Sequence, residues 1–411
     1  MIEERRYLHR ARYVVPMAAD RNLPEILSDG AVLTEEGVIT AVGRYDALQE
    51  NDAVLVDHGK AVLLPAMVNC HSHLELSCFA ALAGGDRPTH TGDMTGWIRE
   101  LLAEREQPPD PEESRMASWQ ALARMYGGGC RGVIDIGNQP ESATLGENFK
   151  MDLRFFLEVL GLGQEAIGRT GQIIESLADS DHLAVHSPYS VHPDVIRMVK
   201  ERCRALGHLM PVHVAESAGE VEFLATGRGV FRDFLEERGV WDGSFKVPGK
   251  SPVAYLDDLQ ALDVNTLCVH CVQVSDQDIE IMASRGVTVC ACPGSNNFLG
   301  VGVAPVDKFV KSGLRVVLGT DSPASNPQVS LWEEMRLLAD RFPEIHPLDL
   351  LKMATRNGAE LLGLENKIGS LATGCSANFL AVTGDLPEDD RQGALRWLVT
   401  AGLAVETEWV E

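Results

Sequence analysis

The sequence predicts an α/β chain: a (β/α)8 TIM-type barrel with a small β-sandwich domain built from both chain ends. Three observations predict it. Between about residues 61 and 362, eight short apolar runs alternate with longer helical patterns. Each run is continuously apolar rather than alternating, which marks strands covered on both faces, as in a parallel sheet. The two chain ends carry shorter β-like runs broken by turn residues. Eight units over roughly 300 residues suit a closed barrel better than an open doubly wound sheet.

The eight runs fall at 61–70, 131–137, 153–161, 183–187, 210–215, 265–271, 286–292 and 314–320. Helical patterns follow them, as at Pro193–Leu206, Asp276–Arg285 and Leu331–Arg341. Near the start, Arg12-Tyr-Val-Val-Pro, Gly30-Ala-Val-Leu-Thr and Gly37-Val-Ile-Thr-Ala-Val-Gly read as an antiparallel meander. Asn378-Phe-Leu-Ala-Val and Trp397-Leu-Val-Thr resume it at the other end. The expected division is a small domain of 1–60 with 364–411, around a catalytic barrel of 61–363. No internal repeat or low-complexity tract interrupts this pattern.

Composition narrows the function classes. The 411 residues are 45% hydrophobic and 23% charged, ordinary for a soluble globular protein. A net charge of −24 argues against nucleic acid or an anionic membrane as partner but says nothing specific about substrate; a small-molecule substrate is expected. It leaves a homo-oligomer open. Nine cysteines, an odd number, include Cys130, Cys268, Cys290 and Cys292 inside apolar runs. Reduced, buried thiols of a cytoplasmic protein are expected. Met1-Ile-Glu-Glu-Arg-Arg-Tyr has no apolar stretch, so no secretory signal is expected. No run of apolar residues is long enough for a membrane span.

The chemistry-bearing residues sit at the ends of the runs. The first run leads into His71-Ser-His73, whose side chains share one face of an extended strand. The fourth ends in His186, the fifth in His213-Val-Ala-Glu216, the sixth in His270 and the eighth in Asp321. Barrel enzymes gather their chemistry at the C-terminal ends of the strands. A lone His-x-His or a lone strand histidine says little, since buried histidines are commonly just hydrogen-bonded. Five of the 12 histidines at these ends, with two carboxylates, are explained together by one bound metal. A rival four-thiolate site at Cys268, Cys271, Cys290 and Cys292 is rejected. Cys268 and Cys271 face opposite sides of a strand, and neither pair has the glycine-rich turn of a zinc knuckle.

These stretches resemble the amidohydrolase superfamily, in its deaminase and chlorohydrolase branch. The matching segments are Pro65-Ala-Met-Val-Asn-Cys-His-Ser-His, His213-Val-Ala-Glu-Ser, Val269-His-Cys, Cys292-Pro-Gly-Ser-Asn and Gly319-Thr-Asp-Ser-Pro-Ala-Ser-Asn. Ala354-Thr-Arg-Asn-Gly-Ala-Glu-Leu-Leu-Gly and Gly369-Ser-Leu-Ala-Thr-Gly extend the likeness. The resemblance implies a mononuclear divalent metal, Zn2+ or else Fe2+, on His71, His73, His213 and Asp321. Two-metal members carry a bridging lysine on the fourth strand. Leu183-Ala-Val-His-Ser-Pro-Tyr has none, and the nearest lysines are Lys150 and Lys200.

The resemblance also implies roles. Asp321 takes a proton from the attacking water, His270 orients that water and stabilises the tetrahedral intermediate, and Glu216 passes a proton to the ring nitrogen and the leaving amine. Within the branch the chain is most similar to methylthioadenosine/S-adenosylhomocysteine and aminofutalosine deaminases. His186-Ser-Pro-Tyr then implies a histidine on the ribose side of the substrate, and Glu106 is a candidate for a ribose contact. The implied reaction is release of ammonia from an aminated purine nucleoside. Guanine or cytosine deaminases, chlorohydrolases and a non-catalytic barrel module are the alternatives. The long segment 217–250, with Phe231, Phe234, Trp241 and Phe245, reads either as a lid or as an insertion packed down by its aromatics.

Overall fold

The computed structural model describes residues 6–18, 23–49, 52–84, 93–107, 109–241, 243 and 245–411. Residues 1–5 of the stretch read for a secretory signal lie outside these. The strands are β1 (Arg6–Val14), β2 (Leu27–Glu35), β3 (Val38–Arg44), β4 (Val54–Asp57), β5 (Val62–Pro65), β6 (Met67–Ser72), β7 (Cys130–Gly137), β8 (Asp152–Val159), β9 (His182–Val185), β10 (Met210–Val214), β11 (Thr266–His270), β12 (Thr288–Ala291), β13 (Arg315–Leu318), β14 (Phe379–Thr383) and β15 (Glu406–Val410). They form two sheets. One has eight strands in the order β6 to β13, every neighbouring pair parallel. The other is a mixed sheet in the order β15-β14-β5-β1-β2-β3, with β4 also paired to β1.

The eight apolar runs overlie the eight parallel strands. Their burial explains their composition: every residue of β6, β7, β10, β11 and β12 is buried. Val68, Ile134, Phe156, Val269, Cys290 and Val317 fill the barrel centre. Three of the helices begin and end where the sequence places them, because their ends are chemically marked. Pro193–Leu206 starts on Pro193 and stops at a left-handed Gly207. Asp276–Arg285 starts with a Ser275/Asp278 capping box and stops at Gly286. Leu331–Arg341 is likewise observed.

Three expectations need correction. The run 61–70 is two strands, not one. β5 pairs with β1 and β14 in the mixed sheet, and the chain enters the barrel only at Met67, whose N–H donates to the Gly129 carbonyl at 2.9 Å. Residues 62–65 thus lie with the chain ends. Trp397-Leu-Val-Thr, expected as a strand, is the end of a helix over Arg391–Thr400. Asp390 caps it, and Leu395, Leu398 and Val399 form its buried stripe. The mixed sheet is also not a pure meander, since β4 and β5 run parallel to β1.

The barrel closes between β13 and β6, at the edge of the candidate site. Thr320 and Asp321 both donate their backbone N–H to the His71 carbonyl, at 3.1 and 3.0 Å. Asn69 fastens the same seam, accepting from Thr320 N at 3.0 Å and donating to Thr320 Oγ1 at 2.8 Å. Gly319 makes this approach feasible. A Cβ there would lie 2.5 Å from His71 Cβ and 2.8 Å from Cys290 Sγ. Among the described residues no helix is long and apolar enough to cross a membrane. All nine cysteines are free, and no four-thiol cluster occurs among the described residues.

Candidate metal centre

The strand ends bring the expected residues together. His71 lies in β6, His213 in β10 and His270 at the end of β11; His73, His186, Glu216 and Asp321 follow β6, β9, β10 and β13. The pairing of β6 with β7 shifts register between Asn69 and Ser72, just before His73. Such irregularities re-aim side chains at a barrel rim. Donor atoms of His71, His73 and His213 all lie within 4.8 Å of one another. Asp321 Oδ1 is 3.5 Å from His71 Nε2 and 3.8 Å from His73 Nε2.

The donor set fits a cation. His73 Nδ1 donates to the Ile136 carbonyl at 2.8 Å, and His213 Nδ1 to the His186 carbonyl at 2.6 Å. In the neutral rings both Nε2 atoms then carry lone pairs, and these face each other at 3.3 Å. Two facing lone pairs repel unless a proton or a metal lies between them. A tetrahedral ion about 2.0–2.1 Å from each nitrogen needs them about 3.3 Å apart. His71 is fully buried, and neither ring nitrogen has a hydrogen-bond partner among the described residues. A buried imidazole without partners is costly, and a metal supplies one. The pinned Nδ1 atoms are the outer contacts that orient metal-binding histidines. These residues could hold a divalent metal ion.

Charge points the same way. Burial pushes His71 down to about 4 and holds His213 and His270 below the usual imidazole range. At His73 burial works downward, yet the carboxylates of Glu158, Asp321, Asp135 and Glu75 outweigh it and raise the imidazole. The surroundings therefore favour positive charge at this point. Burial also opposes ionisation of Asp321, but the adjoining His71 holds its carboxyl well below the usual range. Asp321 Oδ2 accepts from Ser295 Oγ at 2.6 Å and Ser325 Oγ at 3.2 Å, leaving Oδ1 toward the histidines. Ser322 N–H also donates to Oδ1, at 2.7 Å.

Glu216 lies beside this cluster, with Oε1 3.6 Å from His270 Nε2. Burial, helped by the negative Asp321, pushes it up to about 8. His270 Nδ1 donates to Asn296 Oδ1 at 2.9 Å, so in the neutral ring Nε2 accepts. Ala215, His270, Cys271 and Asp321 all have left-handed backbone, with φ of 50°, 69°, 50° and 59°. Such conformations in non-glycine residues persist only where the surroundings hold them.

Three buried carboxylates that the sequence reading passed over do the holding. Asp135 accepts from Leu74 N–H at 2.8 Å and Ser142 Oγ at 2.6 Å, fixing the chain just past His73. Glu220 accepts from the N–H groups of Ala215 and Glu216 at 2.9 and 2.8 Å, fixing the turn that carries Glu216. Glu334 accepts from Gly294 N–H at 2.8 Å and Asn326 Nδ2 at 2.7 Å, steadying the Ser295 and Asp321 loops. A signal existed for Asp135, a lone charge within the apolar run Val133-Ile-Asp-Ile136.

Other expected residues lie apart. Glu106 is exposed just past the helix Met94–Arg105 and bonds to none of these groups. Lys150 is exposed and pairs with Glu411 at 3.1 Å, while Lys200 is buried against Asp263 at 2.6 Å before β11. Neither reaches the cluster. In the segment 217–250, Phe231, Phe234 and Phe245 are buried, and Phe231 rests on Tyr189 with centroids 4.4 Å apart. These aromatics pack the segment down.

Comparison with known proteins agrees with this geometry. The amidohydrolase family profile matches residues 62–405. A 5-methylthioadenosine/S-adenosylhomocysteine deaminase of Dictyoglomus turgidum is 28% identical over 94% of this chain and 88% of its own. One from Moorella thermoacetica is 30% identical over 80% of this chain and 74% of its own. Among solved structures, Helicobacter pylori aminofutalosine deaminase superposes with a TM-score of 0.80 at 23% identity, covering 98% of this chain and 97% of that one. A zinc-bound adenosine deaminase of Xanthomonas campestris gives 0.74 at 24% identity, over 96% and 88%. Eight parallel strands, a histidine-rich centre at their C-terminal ends and a profile match across most of the length lead to one conclusion: the chain belongs to the amidohydrolase family.

Proposed function

We propose that the protein is a metal-dependent aminohydrolase that releases ammonia from an aminated purine nucleoside. The observation that carries this reading is a buried Glu216, with Oε1 3.6 Å from His270 Nε2, beside histidines that could hold one metal ion. A metal centre alone serves many hydrolases. A protonated carboxyl next to it serves a substrate whose ring nitrogen must gain a proton before an amine can leave. The names of the deaminase relatives support the same class.

His71, His73, His213 and Asp321 would hold the ion, which would supply Lewis acidity that makes water nucleophilic near neutral pH. Asp321 presents Oδ1 to the centre as the proton acceptor. His270, neutral and held by Asn296, accepts a hydrogen bond from the water through Nε2 and so orients it. It can donate to a developing oxyanion only after taking up a proton. Glu216 gives its proton to the ring nitrogen; of the two protons of the water, one then goes to the departing amine and the other returns to Glu216. His186, beyond His213, is proposed to face the sugar. Zinc suits three imidazoles and a carboxylate, and metal analysis of the purified protein separates it from iron.

The test is ammonia release from adenosine, methylthioadenosine, S-adenosylhomocysteine, aminofutalosine, guanine and cytosine. Ammonia from a nucleoside, and little from the free bases, is expected. Metal bound with no ammonia from any of the six overturns the reading. Chloride release from a chlorotriazine under those conditions moves the assignment to a chlorohydrolase.

A further inference from the structure

β8 is the least covered strand of the barrel. Only Phe156 and Val159 of its residues are buried, whereas every residue of β6, β7, β10, β11 and β12 is. The connection into it explains this. It carries only the short helix Ser142–Leu145 and the 3₁₀ turn Gly146–Phe149. About 6 Å of α-helix then faces about 26 Å of strand. Leu153, Phe155 and Leu157, on the face opposite Phe156, stay half-buried and line a cleft of about 560 Å³. Leu177 and Leu362 wall it on either side. β9 begins at His182, opposite Phe156, so residues 152–155 have no neighbour in β9. The cleft passes round this free edge to Arg154 and His182.

That end of the cleft is basic. Arg154 donates through Nη2 to the Leu362 carbonyl at 3.0 Å and pairs with no carboxylate among the described residues. Arg10, Arg44, Arg99, Arg285 and Arg336 each bond to a carboxylate that raises them. Burial instead holds Arg154 below the usual guanidinium range, and the nearby Asp152 only partly offsets it. His182 Nδ1 is buried with no partner among the described residues. Burial, with His208 and Arg154 close by, brings its ring down to about 4, so it is neutral and has one N–H to donate. Asp152 and Asp181 stand at the rim, both exposed, and Asp181 Oδ2 already accepts from Ala178 N–H at 2.8 Å. A half-buried guanidinium with one neutral acceptor is poorly satisfied, and a carboxylate would complete it with paired charged hydrogen bonds.

We propose that this cleft binds a monocarboxylate with an apolar body, its carboxylate on Arg154 and His182 and its body along Leu153, Phe155 and Leu157. Arg154 to Leu157 spans about 10 Å of strand, the reach of a short acyl chain. The carboxylate would sit at the N-terminal end of β8, and the metal cluster lies at the C-terminal strand ends. The site is therefore separate from the proposed chemistry and does not depend on it.

The test is calorimetric binding of octanoate, 1-octanol and acetate to the metal-loaded protein. Octanol keeps the body without the charge, and acetate the charge without the body. Octanoate is expected to bind more tightly than either, by about tenfold to a hundredfold over octanol, the range for hydrogen bonds to a charged group. Arg154→Gln should weaken octanoate by a similar factor and leave octanol unchanged. Ala143 lines the cleft from the helix Ser142–Leu145, so Ala143→Trp fills it with Arg154 left in place. That variant should weaken octanoate and octanol alike. Equal binding of octanoate and octanol overturns the carboxylate site, and equal binding of octanoate and acetate overturns the apolar one. A wild type that binds no octanoate overturns both. Octanoate binding unchanged in the variants puts the ligand elsewhere, the metal included, and overturns the cleft. If Arg154→Gln does not fold, Ala143→Trp decides by itself, since unchanged octanoate binding there has the same meaning.

Discussion

The two ends of the barrel share eight strands but treat buried polar groups in opposite ways. At the N-terminal end, Lys200 is 1% exposed and fully engaged, donating to Asp263 Oδ1 at 2.6 Å and Thr266 Oγ1 at 2.8 Å. Asp263 Oδ2 takes a second cation, Arg204, at 2.9 Å. At the C-terminal end the His71 ring and Glu158 Oε1 have no hydrogen-bond partner among the described residues, Glu216 is driven toward neutrality, and four non-glycine residues have left-handed backbone. The apolar layer of Val68, Ile134, Phe156 and Val269 separates the two. Around Lys200 one end satisfies its own charges and serves stability. The other leaves groups unsatisfied where a metal and a substrate would complete them, at the expense of local strain.

Changes at the C-terminal end are therefore expected to strike chemistry first. Removing a ligand has the largest effect. His71→Ala should bring metal content, read by elemental analysis, from about one equivalent to near zero and deamination to background. Activity that survives with no metal bound sinks the metal assignment. Next is Glu216→Gln, which keeps the shape and removes the transferable proton. Turnover should fall about 10²–10⁴-fold with metal retained. Loss of the metal in that variant would show that Glu216 supports the ion rather than moving a proton.

The same contrast explains what could be read from the chain alone. The barrel was legible because its strands are short, dense apolar runs, and several helix ends carry their own cap, as at Ser275 and Gly286. The metal donors were legible because histidine is scarce and its placement at successive strand ends is local information. The clamps were not. Glu220 in a helix start reads as an ordinary N-terminal acid, and only the folded turn shows it bonded to the backbone of Ala215 and Glu216. Two errors had a different source. The run 61–70 contains no mark of a change of sheet except Pro65, and a four-residue apolar run such as 397–400 suits strand and helix equally until Asp390 is seen to cap it.

Acidity offers a graded way to sharpen the comparison. The folded protein holds the Glu216 proton up to about pH 8, against an ordinary value of 4.5. For activity, the protonated fraction falls above about pH 8, so kcat/KM should drop about tenfold per unit there. For stability, a carboxyl raised on folding binds its proton more tightly in the native state. Its contribution is complete below about pH 4.5 and is lost as pH rises through 8. A pH series of rate and denaturant midpoint on wild type and Glu216→Gln reads both. If the alkaline fall in rate survives unchanged in the residual activity of the variant, another group controls it.

The smallest effect on chemistry is expected at the opposite end, where Lys200→Met tests whether the two ends are separate. Methionine fills much of the volume of the lysine stem without its charge. Asp263 keeps Arg204, and Thr266 Oγ1 keeps its bond to the Ala261 carbonyl at 2.9 Å, so no partner is stranded. The loss should therefore be modest for a buried ion pair, about 1–3 kcal/mol in the denaturant midpoint. Metal content and kcat of the folded protein should be unchanged, because the close-packed layer of Val68, Ile134, Phe156 and Val269 lies between Lys200 and the histidines. A several-fold fall in kcat at full metal would mean that this layer transmits strain. The left-handed turns at Ala215 and His270 would then depend on the far end of their own strands, β10 and β11, as well as on the clamps beside them.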